Sequence, residues 1–270
     1  MTNLEEKAEY LRREVLKICY ETQSGHPTSA LSCVEIMTSL VYGGIMNFKK
    51  ENMNAPDRDR FILSKGHACI LQYIIWADLG MIEERELHSF CKKGSALGGH
   101  ANRLIVPGIE FSPGSLGHGL SYAMGQALNA KYCGSGQEVY VLMGDGECQE
   151  GSVWEAALCA SSHRLDNLTV IIDANKLQSS GFVKDISNID PLNKKWEAFG
   201  YQVIEADGHD IVDLQRAFET PHETGRPRAV IAHTLKGKGV SLMENQNYWH
   251  AKRPNKEQWE VIKRELNIAE

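Results

Sequence analysis

Between Val139 and Gln178, two short apolar runs, Val139 to Met143 and Leu168 to Ile172, each lead into an oxygen-bearing side chain and enclose a segment of helical character. That is how a βαβ unit reads, and it commits this part of the chain to neighbouring parallel strands covered by a helix. Asp145 and Asn175 then stand at the carboxyl ends of those strands, the edge at which open α/β sheets bind ligands. Asp145 lies between Gly144 and Gly146, so backbone can approach closely on both sides and the Gly146 amide is free to face an anion. One carboxylate and one amide oxygen make a poor cage for a bare cation. They suit Mg²⁺ that arrives already carrying phosphate oxygens, because Mg²⁺ takes octahedral oxygen ligation and few protein carboxylates. A glycine-flanked aspartate alone is ordinary turn chemistry, so the weight rests on the spacing and the paired strands.

The alternation extends along the chain. Leu4, Ala8, Leu11, Val15 and Ile18 recur at helical spacing among charges. Ser24-Gly25-His26-Pro27 then breaks the chain before a second helical stretch from about Thr28 to Tyr42, with Pro27 suited to its first turn. Phe61 to Ser64 reads as a short buried strand, and Lys65-Gly66-His67-Ala68 turns into a helix running to about Leu79. After an acidic helix from about Glu83 to Phe90, the stretch from Gly94 to Gly119 is glycine-rich and weakly periodic. A loop of that length is uncommon in a compact domain unless it is functional. Helical character resumes from Leu116 to Cys133, and Tyr201 to Ala206 and Ala229 to Ala232 read as further strands separated by helical Ile211 to Thr220. The expected fold is α/β, a mostly parallel sheet with helices on both faces, in one domain spanning residues 1–270. Gly114-x-x-Gly117-x-Gly119 is not a dinucleotide fingerprint, because the glycine order is wrong and Pro113 stands where a strand should end.

Charge and cysteine usage exclude some partners. The 29 basic and 35 acidic residues give a net charge of −6 without a basic stripe, so nucleic acid is not an expected partner. The seven scattered cysteines, none in a C-x-x-C pair, indicate neither a disulfide framework nor a zinc site and fit a reducing, cytoplasmic setting. No run approaches the ~18 apolar residues of a membrane span, and no apolar leader opens the chain. Each histidine in a glycine-bounded turn, taken singly, reads as a capping or packing residue. Lys236-Gly237-Lys238-Gly239, taken singly, is either a solvated turn or a phosphate-facing loop.

Together these pieces resemble a family. Gly144-Asp145-Gly146 with Asn175 following 30 positions later is similar to the thiamine-diphosphate motif. Ser24-Gly25-His26-Pro27, Ser64-Lys65-Gly66-His67-Ala68, Gly98-Gly99-His100 and the TLKGKGVSLMEN…WH tail, in that order around the motif, resemble the diphosphate-binding half of transketolases over nearly the whole chain. The resemblance implies thiamine diphosphate with Mg²⁺, or Ca²⁺ or Mn²⁺ in its place. Metal ligands fall on Asp145, Asn175 and the main-chain carbonyl of Leu177, with the Gly146 amide on the diphosphate. It places His67 and His250 on the diphosphate, and Gly114 and Leu116 on the cofactor rings by main chain. His26, His100 and His250 face the substrate oxygens, and Glu150 lies at the contact between cofactor sites. The implied activity moves a two-carbon ketol unit from a ketose or its phosphate to an aldose. Each step moves a proton on or off a sugar oxygen near neutral pH, work that suits imidazole.

Two stretches depart from the family pattern: Gly99-His100-Ala101-Asn102 replaces G-H-P-E, and Pro113 to Gly119 replaces T-G-P-L-G-Q-G. Family members of full length also carry a pyrimidine-binding domain, which supplies an activating glutamate and most residues that grip the sugar phosphate. Nothing after Trp249 matches it. The expectation is one subunit of a split transketolase, joined to a C-terminal subunit in an α2β2 heterotetramer. Other thiamine-diphosphate enzymes, such as a 2-oxo acid dehydrogenase α subunit or 1-deoxyxylulose-5-phosphate synthase, share GDG…N but fewer of the histidine turns. A non-catalytic assembly subunit of the same fold is the third reading. Pentose phosphates are the default sugars, and a branched or sulfonated sugar would leave the same marks on this chain.

Overall fold

A run such as Val139-Tyr140-Val141-Leu142-Met143 is apolar on both faces, and only a sheet covered on both sides satisfies it. The computed structural model describes residues 3–268 and contains such a sheet. Five parallel strands lie in the order β1-β2-β3-β5-β4. They are β1 (Arg60–Leu63), β2 (Val139–Gly144), β3 (Leu168–Ala174), β4 (Gln202–Asp207) and β5 (Arg228–His233). β2 and β3 pair in register from Val139 opposite Leu168 to Gly144 opposite Asp173, and all seven residues of β3 are buried.

Before β1 come α1 (Asn3–Thr22), α2 (Pro27–Leu31) and α3 (Val34–Tyr42), and after it α4 (Cys69–Asp78), α5 (Glu84–Leu87) and α6 (His118–Tyr132). The chain continues through α7 (Gly151–Ser162), α8 (Val183–Ile186), α9 (Leu192–Ala198), α10 (Ile211–Glu219) and α11 (Lys256–Glu265). Alternate strand residues divide the interior into two cores. Leu63, Tyr140, Leu142, Ile171 and Val230 meet α1, α3, α4 and α10 on one face. Ile62, Val141, Met143, Val170 and Ile231 meet α6, α7 and α9 on the other. Local signals set several helix ends. The Asp210 carboxylate accepts the Val212 and Asp213 amides at the start of α10, and Asn255 and Gln258 cap α11 reciprocally.

The expected stretch from Thr28 to Tyr42 is two helices rather than one. The Cys33 amide donates to the Ala30 carbonyl in a tighter turn, and the Ser32 hydroxyl donates to Asp173, so the axis breaks between them. The acidic helix expected over Glu83 to Phe90 is a single turn, Glu84–Leu87. Between residue 88 and Gly117 the chain forms turns without helix or strand, as the glycine-rich stretch suggested. No described helix is long and apolar enough to cross a membrane.

Candidate active site

The carboxyl ends of β1, β2, β3 and β5 open onto a cleft of ≈ 380 Å³. Every residue singled out from the sequence lines it: Asp145, Gly146, Asn175 and Leu177; His26, His67, His100 and His250; Gly114, Leu116 and Glu150.

Asp145 follows the last residue of β2 and Asn175 the last of β3, and because Gly144 pairs with Asp173 the two stand at neighbouring strand ends, one position out of register. The Asp145 carboxylate accepts the Gly146 amide at 2.7 Å and the Lys176 amide at 2.6 Å. Lys176 holds φ at +63° to deliver that amide. The Gly146 amide, expected to be free for an anion, is thus engaged by the carboxylate beside it, its nearest acceptor. The Asn175 side-chain oxygen accepts the Leu177 amide at 3.1 Å. The Leu177 carbonyl accepts the Lys236 ammonium at 2.8 Å and keeps a second lone pair.

The histidines converge from four separate segments. Ring centroids lie 5.8 Å apart for His26 and His67, 5.4 Å for His26 and His250, 5.6 Å for His67 and His250, and 6.4 Å for His26 and His100. Burial, reinforced by His100, Arg253 and Lys236, pushes His26 down to about 4. Burial, with Lys236 and His26, takes His250 to about 4 as well, and burial beside Lys65 puts His67 well below its ordinary value. In all three the surroundings favour the neutral ring. His26 Nδ1 is buried without a hydrogen-bond partner.

Four charged residues that the motifs did not assign complete the site. Lys65, at the end of β1, is buried against Asp173 of β3, and Asp173 also accepts the Ser32 hydroxyl at 2.6 Å and the Thr234 hydroxyl. Glu147 gathers the Ser64 hydroxyl, the Gly117 amide at 2.9 Å and the Gly144 amide at 3.1 Å, tying β1, β2 and the glycine-rich segment together. Gly117 is required there: its φ is +85°, and a Cβ would lie 2.7 Å from that of Glu150. Lys236 is almost fully buried, and its ammonium reaches the Leu177 carbonyl and His250 Nδ1, both at 2.8 Å. For Lys65, Asp173 and Glu147 the one available signal was position, a charge set within or just beyond an apolar strand; for Lys236 it was the Lys-Gly-Lys-Gly run, which left a phosphate-facing loop open.

Two groups in the cleft carry charge that their surroundings do not match. Burial and Asp173 raise Asp145 to about 6, while burial and Lys65 lower Lys236 to about 8. A divalent cation at Asp145 and a diphosphate at Lys236 would match both. The donor set agrees, since no group of three or more His, Cys, Asp or Glu side chains among the described residues would hold a metal unaided. Asp145, Asn175 and the Leu177 carbonyl are the oxygens that could hold such an ion, its remaining ligands coming with a phosphate.

Fold and cleft together define a thiamine-diphosphate-binding domain. The family model "Transketolase, thiamine diphosphate binding domain" matches residues 4–269. One subunit of the apulose-4-phosphate transketolase of Actinobacillus succinogenes is 45% identical over 264 residues, covering 97% of this chain and 95% of the relative. Transketolase of Homo sapiens is 40% identical over 268 residues, covering 97% of this chain and 42% of the relative. The solved transketolase of Campylobacter jejuni superposes with a TM-score of 0.91 at 28% identity, covering 99% of this chain and 43% of its own. The chain therefore spans about two fifths of the length of these longer transketolases. It belongs to the transketolase family.

Proposed function

We propose that this chain is the diphosphate-binding subunit of a two-subunit transketolase and forms a single domain over residues 1–270. The observation that carries the reading is the joint placement, in one cleft, of Asp145 and Asn175 at paired strand ends with the Lys236 ammonium and four imidazoles. Relatives of matching length whose names make them one subunit of a transketolase support a separate partner. In this reading Asp145, Asn175 and the Leu177 carbonyl hold Mg²⁺. Lys236, His67, His250 and the Gly146 amide hold the diphosphate, with the Asp145 carboxylate turning to the metal and releasing that amide. Gly114 and Leu116 meet the cofactor rings by main chain, and Glu150 lies where cofactor sites adjoin.

Bound thiamine diphosphate supplies the carbanion-stabilising centre. The chain's own work is to hold it and to handle protons. His26 lines the cleft with its Nδ1 unpartnered, and as a neutral ring it can accept a proton from a sugar hydroxyl; His250, whose Nδ1 accepts from Lys236, carries its proton on Nε2 and can donate it to a sugar oxygen. The negative diphosphate beside His250 favours its protonated form. The donor is a ketose phosphate. Apulose 4-phosphate is the first to test, because relatives of matching length carry its name.

The test mixes purified chain and partner with thiamine diphosphate and Mg²⁺ and follows transfer of a two-carbon unit to an aldose phosphate. Asp145→Ala should weaken cofactor binding by about tenfold or more, through loss of a metal ligand. Parent-like affinity for both metal and cofactor in that variant would remove the assignment.

A further inference from the structure

Lys236 sits in a turn segment without regular structure, so contacts from elsewhere must fix the place of its ammonium. Two of these contacts flank it. The Leu235 amide donates to His209 Nε2 at 2.8 Å, and the Lys238 carbonyl accepts Arg12 Nη1. Because His209 Nε2 accepts a backbone N–H, the ring proton must lie on Nδ1, which donates to Glu35 Oε2 at 2.9 Å. The other Glu35 oxygen takes Arg12 Nη2. Burial would raise the Glu35 carboxyl, but the His209 hydrogen bond and the Arg12 guanidinium hold it below its ordinary value. The result is a closed circuit from the loop through His209, Glu35 and Arg12 back to the loop. Gly239 shows how tightly the loop lies on it: at φ +89°, a Cβ there would fall 2.6 Å from Arg12 Cδ. None of the three residues lines the cleft.

We propose that His209, with Glu35 and Arg12 behind it, is a positioning residue that sets Lys236 against the cofactor diphosphate. The Leu235 amide is half-buried, and a backbone donor that folding turns away from water is held by its acceptor. Removing the one at His209 frees Leu235 to seek another and lets the neighbouring Lys236 backbone shift. The inference rests on the reading of the cleft given above. It assigns His209 no contact with cofactor or sugar.

The test uses the chain complexed with its partner and measures thiamine diphosphate affinity by calorimetry, with inorganic pyrophosphate as competitor. His209→Asn keeps a donor near Glu35 but is too short to accept from Leu235, whereas His209→Gln places an oxygen near the Nε2 position. His209→Asn should weaken thiamine diphosphate and pyrophosphate by about tenfold, the loss expected for one charge-assisted contact. His209→Gln should recover most of that loss. In a Lys236→Met background, His209→Asn should cost nothing more, because the residue acts only through the lysine. Parent-like affinity in His209→Asn, failure of His209→Gln to recover it, or full additivity with Lys236→Met would each overturn the proposal. Should His209→Asn not fold, Glu35→Gln carries the same comparison in both backgrounds. Parent-like affinity in Lys236→Met alone would instead refute the reading of the cleft.

Discussion

Lys65 and Asp173 lie 108 positions apart in sequence and meet where water does not reach, with side-chain exposures of 1% and 0%. A buried pair of this kind holds only with further hydrogen bonds around it, here from Ser32 and Thr234 to the carboxylate and from the ammonium to the Ser29 carbonyl and Ser32. Asp173→Ala would leave an uncompensated ammonium in the interior. Chemical denaturation should show a loss of about 3–5 kcal/mol, and a loss below about 1 kcal/mol would contradict this account of the pair. His26→Ala addresses the chemistry instead. Cofactor affinity should hold while turnover in the complex falls by about a hundredfold or more, and unchanged turnover would remove His26 from proton handling. Asp145 and Asn175 were readable from sequence because strand pairing converts a spacing into adjacency. Lys65 and Asp173 were not, and Lys236 only as one of two readings of its glycine-lysine turn, because their partners come from distant segments and a buried charge leaves no periodic trace.

At the level of elements, the strands were found within a residue or two wherever an apolar run was continuous, as in β2 and β3. The break between α2 and α3 was missed because it depends on a tertiary bond from Ser32 to Asp173, and the short α8 and α9 escaped because too few turns are present to display a period. The amino ends of the strands gather a second, half-buried polar group, opposite the cleft. Glu138 precedes β2, its Oε2 lies 3.6 Å from His222 Nε2, and that oxygen has no hydrogen-bond partner. Burial and Asp59 raise Glu138 from 4.5 to about 7, while burial and Arg228 lower His222 from 6.5 to about 4. From pH 4.5 to 7 the folded state keeps a Glu138 proton that the unfolded chain has lost, so this residue's contribution to stability falls as pH rises and stays low above 7. His222 acts in the opposite direction between 4 and 6.5, where stability rises with pH. Glu138→Gln removes only the first effect. Its melting temperature should exceed the parent's by more at pH 8 than at pH 5, and an equal or smaller gain at pH 8 would contradict the partial desolvation of an ionisable carboxyl there.

For the molecule as a whole, the two-subunit reading makes the cleft one wall of a site. Its metal and diphosphate side is dense with charge, whereas Gly114 and Leu116 are exposed on the side assigned to the cofactor rings. The isolated chain with thiamine diphosphate and Mg²⁺ should therefore show no ketol transfer, and activity should appear on titration with the partner; turnover by the mass-verified chain alone would refute the two-subunit reading. The two sides of that wall also differ in their backbone. Asp145 and Asn175 end central strands that are paired on both edges and covered on both faces, whereas His100, Gly114 and Leu116 ride on about thirty residues of turns. In deuterium exchange, amides of β2 and β3 should be among the last to label, and those between residues 91 and 117 among the first. The metal end would then be set as soon as the chain folds, leaving the order of the other end to be supplied by whatever binds there.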